Sequence, residues 1–134
     1  MILPTTLSLA AAAIVLNIWL AMRIGGLRMK SGIHMGHGEN PLLYARMRAQ
    51  ANFIEQTPLT LILLGLVEAA GPAHQGFGGV WLAPLGAVFL LGRIAHAFGM
   101  DGRFKAGRPI GMATSFLPQL VLVVVAVLIS LGRL

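Results

Sequence analysis

The sequence contains no cysteine. That excludes a disulfide framework, a thiolate metal site and a nucleophilic thiol of the protein's own. Any thiol chemistry must use a thiol from outside. Charge is also scarce. Only 10% of the 134 residues are charged, against about 25% in a soluble domain. Such a chain cannot cover a water-facing surface, and at 57% hydrophobic it reads as a single integral membrane domain over residues 1–134. The excess of base, +6, carries no basic stripe interleaved with aromatics, so no nucleic-acid partner is expected. No G-x-x-x-x-G-K phosphate loop or G-x-S-x-G nucleophile turn occurs.

What is present is four apolar stretches, at 2–22, 41–70, 77–98 and, from Arg108-Pro109, 109–131. Each has the roughly 20 residues that cross a bilayer as a helix. Their continuous runs do not alternate as barrel strands do. The expected fold is an all-α bundle of four transmembrane helices. The first stretch has no positive region before it, which favours a retained helix over a cleaved signal. Arg23, Arg28 and Lys30 follow the first stretch, and Arg103, Lys105 and Arg108 follow the third. The loop GPAHQG (71–76) has no Lys or Arg. The positive-inside rule then places the first and third loops in the cytoplasm and both termini outside.

The second stretch, as a helix of 30 residues, would be about 45 Å long. Its first turns should protrude on the cytoplasmic side. Asn40-Pro41 suits its start, as N-cap and first helical residue. Within RMRAQANFIEQTP (46–58), Arg48, Asn52 and Glu55 fall at i, i+4 and i+7, on one helical face. Pro58 should kink the helix and free the Ile54 carbonyl beside Glu55. The third stretch adds Arg93 and His96 at matching depth. Ionisable groups at membrane depth either line a site or pair with one another to hold the bundle; Arg93 is the candidate structural partner for Glu55. The second and fourth helices both aim their N-termini at the cytoplasm. With Arg28, Arg48 and Arg108 they favour an anionic, carboxylate-bearing ligand.

Other features carry less. His34 and His37 in HMGH have metal-ligand spacing with only Glu39 nearby, and read as exposed loop residues; no metal site is expected. Trp19 and Trp81 read as interfacial anchors, and Asn17 as an interhelical hydrogen-bonding residue. LVLVVVAVLISL (120–131) reads as lipid-facing.

The segment RAQANFIEQTPLTLILLGLVEAAG (48–71), with its R-A-x-x-N-x-x-E-x-x-P pattern, resembles the second helix of the MAPEG family, the membrane-associated proteins in eicosanoid and glutathione metabolism. GRIAHAFG (92–99) resembles the end of the family's third helix, RPIGMATSFL (108–117) the start of its fourth and LRMKSG (27–32) the basic stretch after its first; the chain looks most like the small bacterial members and resembles the microsomal glutathione transferases. The resemblance implies a homotrimer in the bacterial inner membrane, with glutathione as co-substrate bound between protomers near the cytoplasmic face. It implies that Arg48, Asn52, Glu55 and His96 bind glutathione, that Arg28 reaches the site from the first loop, and that Arg108 stabilises the thiolate. Gln56 and Met100 stand where many members or the eicosanoid enzymes carry tyrosine. The function implied is a glutathione-dependent transferase or peroxidase acting on lipophilic electrophiles. Two alternatives remain open at this level: a non-catalytic membrane protein binding lipids or other amphiphiles, and a small transporter or proton pathway.

Overall fold

The computed structural model describes residues 2–71 and 79–134. Four helices account for most of them: α1 (Pro4–Ser31), α2 (Pro41–Ala70), α3 (Leu82–Met100) and α4 (Gly107–Ser130). A 3-10 turn, Gly79–Trp81, leads into α3. All four helices are long and apolar enough to cross a membrane. The uncharged GPAHQG loop beyond Gly71, and Phe77, lie outside the described residues.

α1 runs well beyond Met22, to Ser31. Arg23, Arg28 and Lys30 therefore sit on helix rather than loop. The helix ends at Gly32, whose positive φ of 65° suits a residue without Cβ, and the Gly32 and Ile33 N–H groups both donate to the Arg28 carbonyl. The other end of α1 has no side-chain cap of its own. Glu68, in the last turn of α2, supplies one. Its carboxylate accepts from the Thr5 N–H (2.8 Å), the Thr6 N–H (2.7 Å) and the Thr6 hydroxyl (2.6 Å). A negative group at a helix N-terminus also meets the positive end of the dipole.

α2 begins with Asn40 accepting from the Leu43 N–H at 3.0 Å and Pro41 in the first turn, and continues through Pro58. Its apolar residues face two core clusters. One joins Ala13, Leu16 and Leu20 of α1 to Ala49 and Phe53 of α2 and Phe89 of α3. The other joins Leu64 and Val67 of α2 to Leu82 of α3 and Leu122 of α4. Large apolar side chains also cover the outside, among them Val15, Leu59, Leu66, Leu91 and Val124. In lipid such a surface is at no disadvantage, because the tails outside are as apolar as the core within.

α3 and α4 form the most extensive pairing, and glycine makes it possible. A Cβ on Gly99 would overlap the Arg108 backbone nitrogen and lie 2.7 Å from the Gly107 carbonyl carbon. A Cβ on Gly111 would overlap the His96 side chain and lie 2.9 Å from the Gly92 carbonyl oxygen. Small residues that let backbones touch are the usual basis of helix association in membranes.

At the same end of the bundle, Asp101 at the close of α3 is buried to within 1%. Arg23 of α1 ion-pairs with it, and Arg46 of α2 reaches it at 3.3 Å. Arg46 also donates to the Arg23 carbonyl at 2.9 Å. The Arg23 guanidinium lies 4.6 Å from the Trp19 ring centroid, a cation–π contact. One carboxylate thus ties three helices, and explains how α1 carries a cation deep among its neighbours.

Gly99→Ala is expected to lower stability by about 1–3 kcal/mol or prevent folding, because backbone rather than a movable side chain blocks the methyl. Gly25→Ala, which meets nothing within 4 Å, should instead stabilise α1 by about 0.5–1 kcal/mol. Thermal unfolding of both variants in detergent checks the contrast; equal behaviour would refute the role given to the α3–α4 seam.

Candidate functional site

The first turns of α2 carry Tyr44, Arg48 and Asn52 at intervals of four, so they descend one face of the helix. α3 runs antiparallel beside it. Two contacts set the register: Arg46 meets Asp101 near the open end, and Asn52 Oδ1 accepts from Arg93 Nη1 at 2.5 Å deeper in. His96 and Met100 on α3 fall between these levels and the bundle end. The glycine seam brings the start of α4 against α3, which places Arg108 beside Met100. These six residues line a cavity of about 320 Å³.

Arg93 lies beneath this lining and braces it through Asn52. It is 3% exposed. One guanidinium nitrogen donates to Asn52, the other to the Gly111 carbonyl, and the group lies 5.7 Å from the Phe89 ring centroid. It therefore spans α2, α3 and α4 with a single side chain. The pairing with Glu55 that the spacing allowed does not form, because Asn52 lies on the side of α2 that Arg93 reaches. Glu55 is exposed on the outer surface, next to exposed Ile54.

Above Arg93 the charges are open. Arg48 and Arg108 are both exposed, and among the described residues neither makes an ion pair. α4 begins without a side-chain N-cap, and its dipole adds positive potential beside Arg108, although the Gly107 N–H donates to the Phe104 carbonyl at 2.9 Å and Pro109 has no N–H. His96 is buried against Gly111. The arrangement suits an anion: two guanidinium forks, a helix N-terminus and no acidic side chain in the lining.

Of the six residues singled out from the sequence, Arg48, Asn52, His96 and Arg108 come together here. Glu55 and Arg28 do not line the cavity. Arg28 donates to Met47 Sδ at 3.5 Å, on the α1–α2 side. Gln56 is engaged elsewhere: Gln119 of α4 donates to its side-chain oxygen at 3.0 Å and to the Thr60 hydroxyl at 2.8 Å.

A family model for the MAPEG family matches residues 6–128, nearly the whole chain. The chain belongs to the MAPEG family. No curated protein matches the sequence.

Within this MAPEG chain, two lining residues escaped the reading of spacing. Tyr44 lies one turn before Arg48, and the same i, i+4 step that linked Arg48 to Asn52 reaches it. Met100 entered only as a substitution, whereas it closes one wall. The role of Arg93 in bracing Asn52 was also missed; the signal was the glycine at position 111, whose missing side chain leaves its carbonyl reachable.

Arg93→Lys keeps the charge but cannot hold Asn52 and Gly111 together. It should cost about 1–3 kcal/mol, read as a lowered melting temperature in detergent. An unchanged melting temperature would show that the bridge contributes nothing to the bundle.

Proposed function

We propose that the protein is an integral membrane glutathione-dependent transferase acting on lipophilic electrophiles. The observation that carries this reading is the pair of exposed guanidiniums, Arg48 and Arg108, without an ion pair among the described residues, at the mouth of a cavity whose outer surroundings are apolar. Glutathione supplies the two carboxylates such a site asks for, and the thiol that a chain without cysteine lacks. Family membership supports the same co-substrate. The cavity end faces the cytoplasm of the inner membrane, in keeping with the positive-inside rule.

In this reading Arg48 forks onto a glutathione carboxylate. The Asn52 amide, oriented by Arg93, hydrogen-bonds the peptide. Arg108 and the start of α4 stabilise the thiolate, since nearby positive charge favours the ionised sulfur. The thiol proton goes to water. The sulfur lone pair then forms a bond to the electrophilic carbon, and the leaving group departs with its electron pair. With a hydroperoxide, the sulfur takes the distal oxygen, the alcohol leaves, and a second glutathione reduces the sulfenic product to disulfide and water. Assembly as a homotrimer gives Arg28 and Glu55, which stand outside the cavity of a single protomer, a place at the boundary with a neighbour: Arg28 toward a carboxylate and Glu55 toward the amino group.

A second reading is favoured by one observation. Leu9, Leu16, Trp19, Leu90 and Ile94 help line an apolar groove of about 620 Å³ between α1 and α3. A non-catalytic protein that binds a lipid or another amphiphile would use such a groove and needs no activated thiol.

Calorimetric titration of glutathione into the purified protein separates the two. Arg48→Ala should weaken binding about 10- to 100-fold, the loss of one or two charge-assisted hydrogen bonds. Arg108→Ala should lower turnover at least about tenfold while affinity stays within about threefold. Absence of glutathione binding to the folded wild type would reject the transferase reading in favour of lipid binding.

A further inference from the structure

The chain has a single tyrosine, and it stands in the wall of the cavity. We propose that Tyr44 contacts the bound ligand, its phenol donating a hydrogen bond to the sulfur of the thiol. The proposal rests on the glutathione reading above and adds a residue to it.

The register of α2 and α3 places the phenol. From the Asn52–Arg93 hydrogen bond, eight residues outward along α2 reach Tyr44, about 12 Å away. Seven residues outward along α3 reach Met100, about 10.5 Å away. The two therefore face each other at the outer level of the cavity. Arg108 shares that level, because the Gly107 backbone packs on Gly99, the neighbour of Met100.

The outer level differs in chemistry from the inner one. A phenol, a thioether and one guanidinium meet there, whereas Arg48, Asn52 and His96 lie further in. Sulfur makes favourable contacts with aromatic rings, and a thioether is a soft, polarisable neighbour for it. Carboxylates are better matched to guanidinium forks. The sulfur of a tripeptide thiol accordingly fits between Tyr44, Met100 and Arg108. Tyr44 is half exposed, and its hydroxyl donates to no group among the described residues, so it is free for a ligand.

The ring is held from outside. His37, in the segment 32–40 between α1 and α2, packs edge-on against the Tyr44 ring, with centroids 5.1 Å apart and planes at 69°. That segment is anchored at both ends, by the Ile33 N–H donating to the Arg28 carbonyl and the Tyr44 N–H donating to the Asn40 carbonyl at 3.0 Å, and inside it the Asn40 N–H donates to the His37 carbonyl at 2.9 Å. One histidine of the HMGH motif thereby acquires a positioning role.

The groups facing the sulfur position are His37 from the 32–40 segment, Arg48 from α2, His96 from α3 and Arg108 from α4, with Arg93 beneath and Arg28 of α1 beyond Met47. None is an anion. A phenol donor adds to this field by stabilising the thiolate more than the thiol, while keeping its own proton; the thiol proton leaves to water.

The test is titration of bound glutathione in the full-length protein, following thiolate ultraviolet absorbance against pH, with affinity measured by calorimetry where the thiol is protonated. Tyr44→Phe should raise the pKa of the bound thiol by about one unit, the worth of one hydrogen bond to an ion, with affinity changed less than about twofold. His37→Ala, which keeps the hydroxyl but frees the ring, should give a smaller rise. Glutathione binding to wild type with the same thiol titration in both variants overturns the role of Tyr44 and leaves the glutathione site standing. No binding to wild type overturns the site itself, and this proposal with it.

Discussion

The contact of the α3 and α4 backbones is the constraint on which the rest depends. Gly99 on one helix meets Gly107 on the other backbone to backbone, Gly111 packs on His96 and the Gly92 carbonyl, and Gly92 makes room for the Thr114 side chain. That approach puts the Gly111 carbonyl within reach of Arg93, sets His96 against α4, and brings Arg108 to the level of Met100. A wider seam separates Arg93 from its acceptor, and Asn52 then loses the donor that orients it. The polar cavity is thus a by-product of close packing along the α3–α4 seam.

The bundle treats its cations in two ways. Arg23 and Arg46 share the buried carboxylate of Asp101, and both terminal nitrogens of Arg93 are bonded, to an amide oxygen and a carbonyl, with a ring face beside the group. These are the arrangements that let a charge remain ionised away from water. Arg48 and Arg108 have no such partners among the described residues. The difference separates cations that hold helices together from those left open at the cavity, and it is visible only in three dimensions.

Much of this was legible in the residues themselves. Continuous apolar runs announce four membrane helices, and the i, i+4 step from Arg48 to Asn52 marks the wall of the cavity. Three features were not legible. The extension of α1 through Arg23 depends on Asp101, a residue far along the chain, and local polarity reads it as loop. The partner of Arg93 turned on which side of α2 faces α3: Asn52 and Glu55 are three residues apart, nearly a full turn, yet only Asn52 lies on the side toward Arg93. Tyr44 was passed over because a tyrosine near the start of a membrane helix looks like any interfacial aromatic. The G-x-x-x-G spacing of Gly107 and Gly111 was a usable sign of close packing.

The carboxylate of Glu68 also bears on how the chain is built. It closes the first turn of α1 from 62 and 63 residues downstream. As the chain emerges in order, α1 must enter the bilayer before its own cap has been synthesised. Its leading N–H groups stay with water or headgroups until the end of α2 arrives alongside. The last turn of α2 thus completes the beginning of the protein.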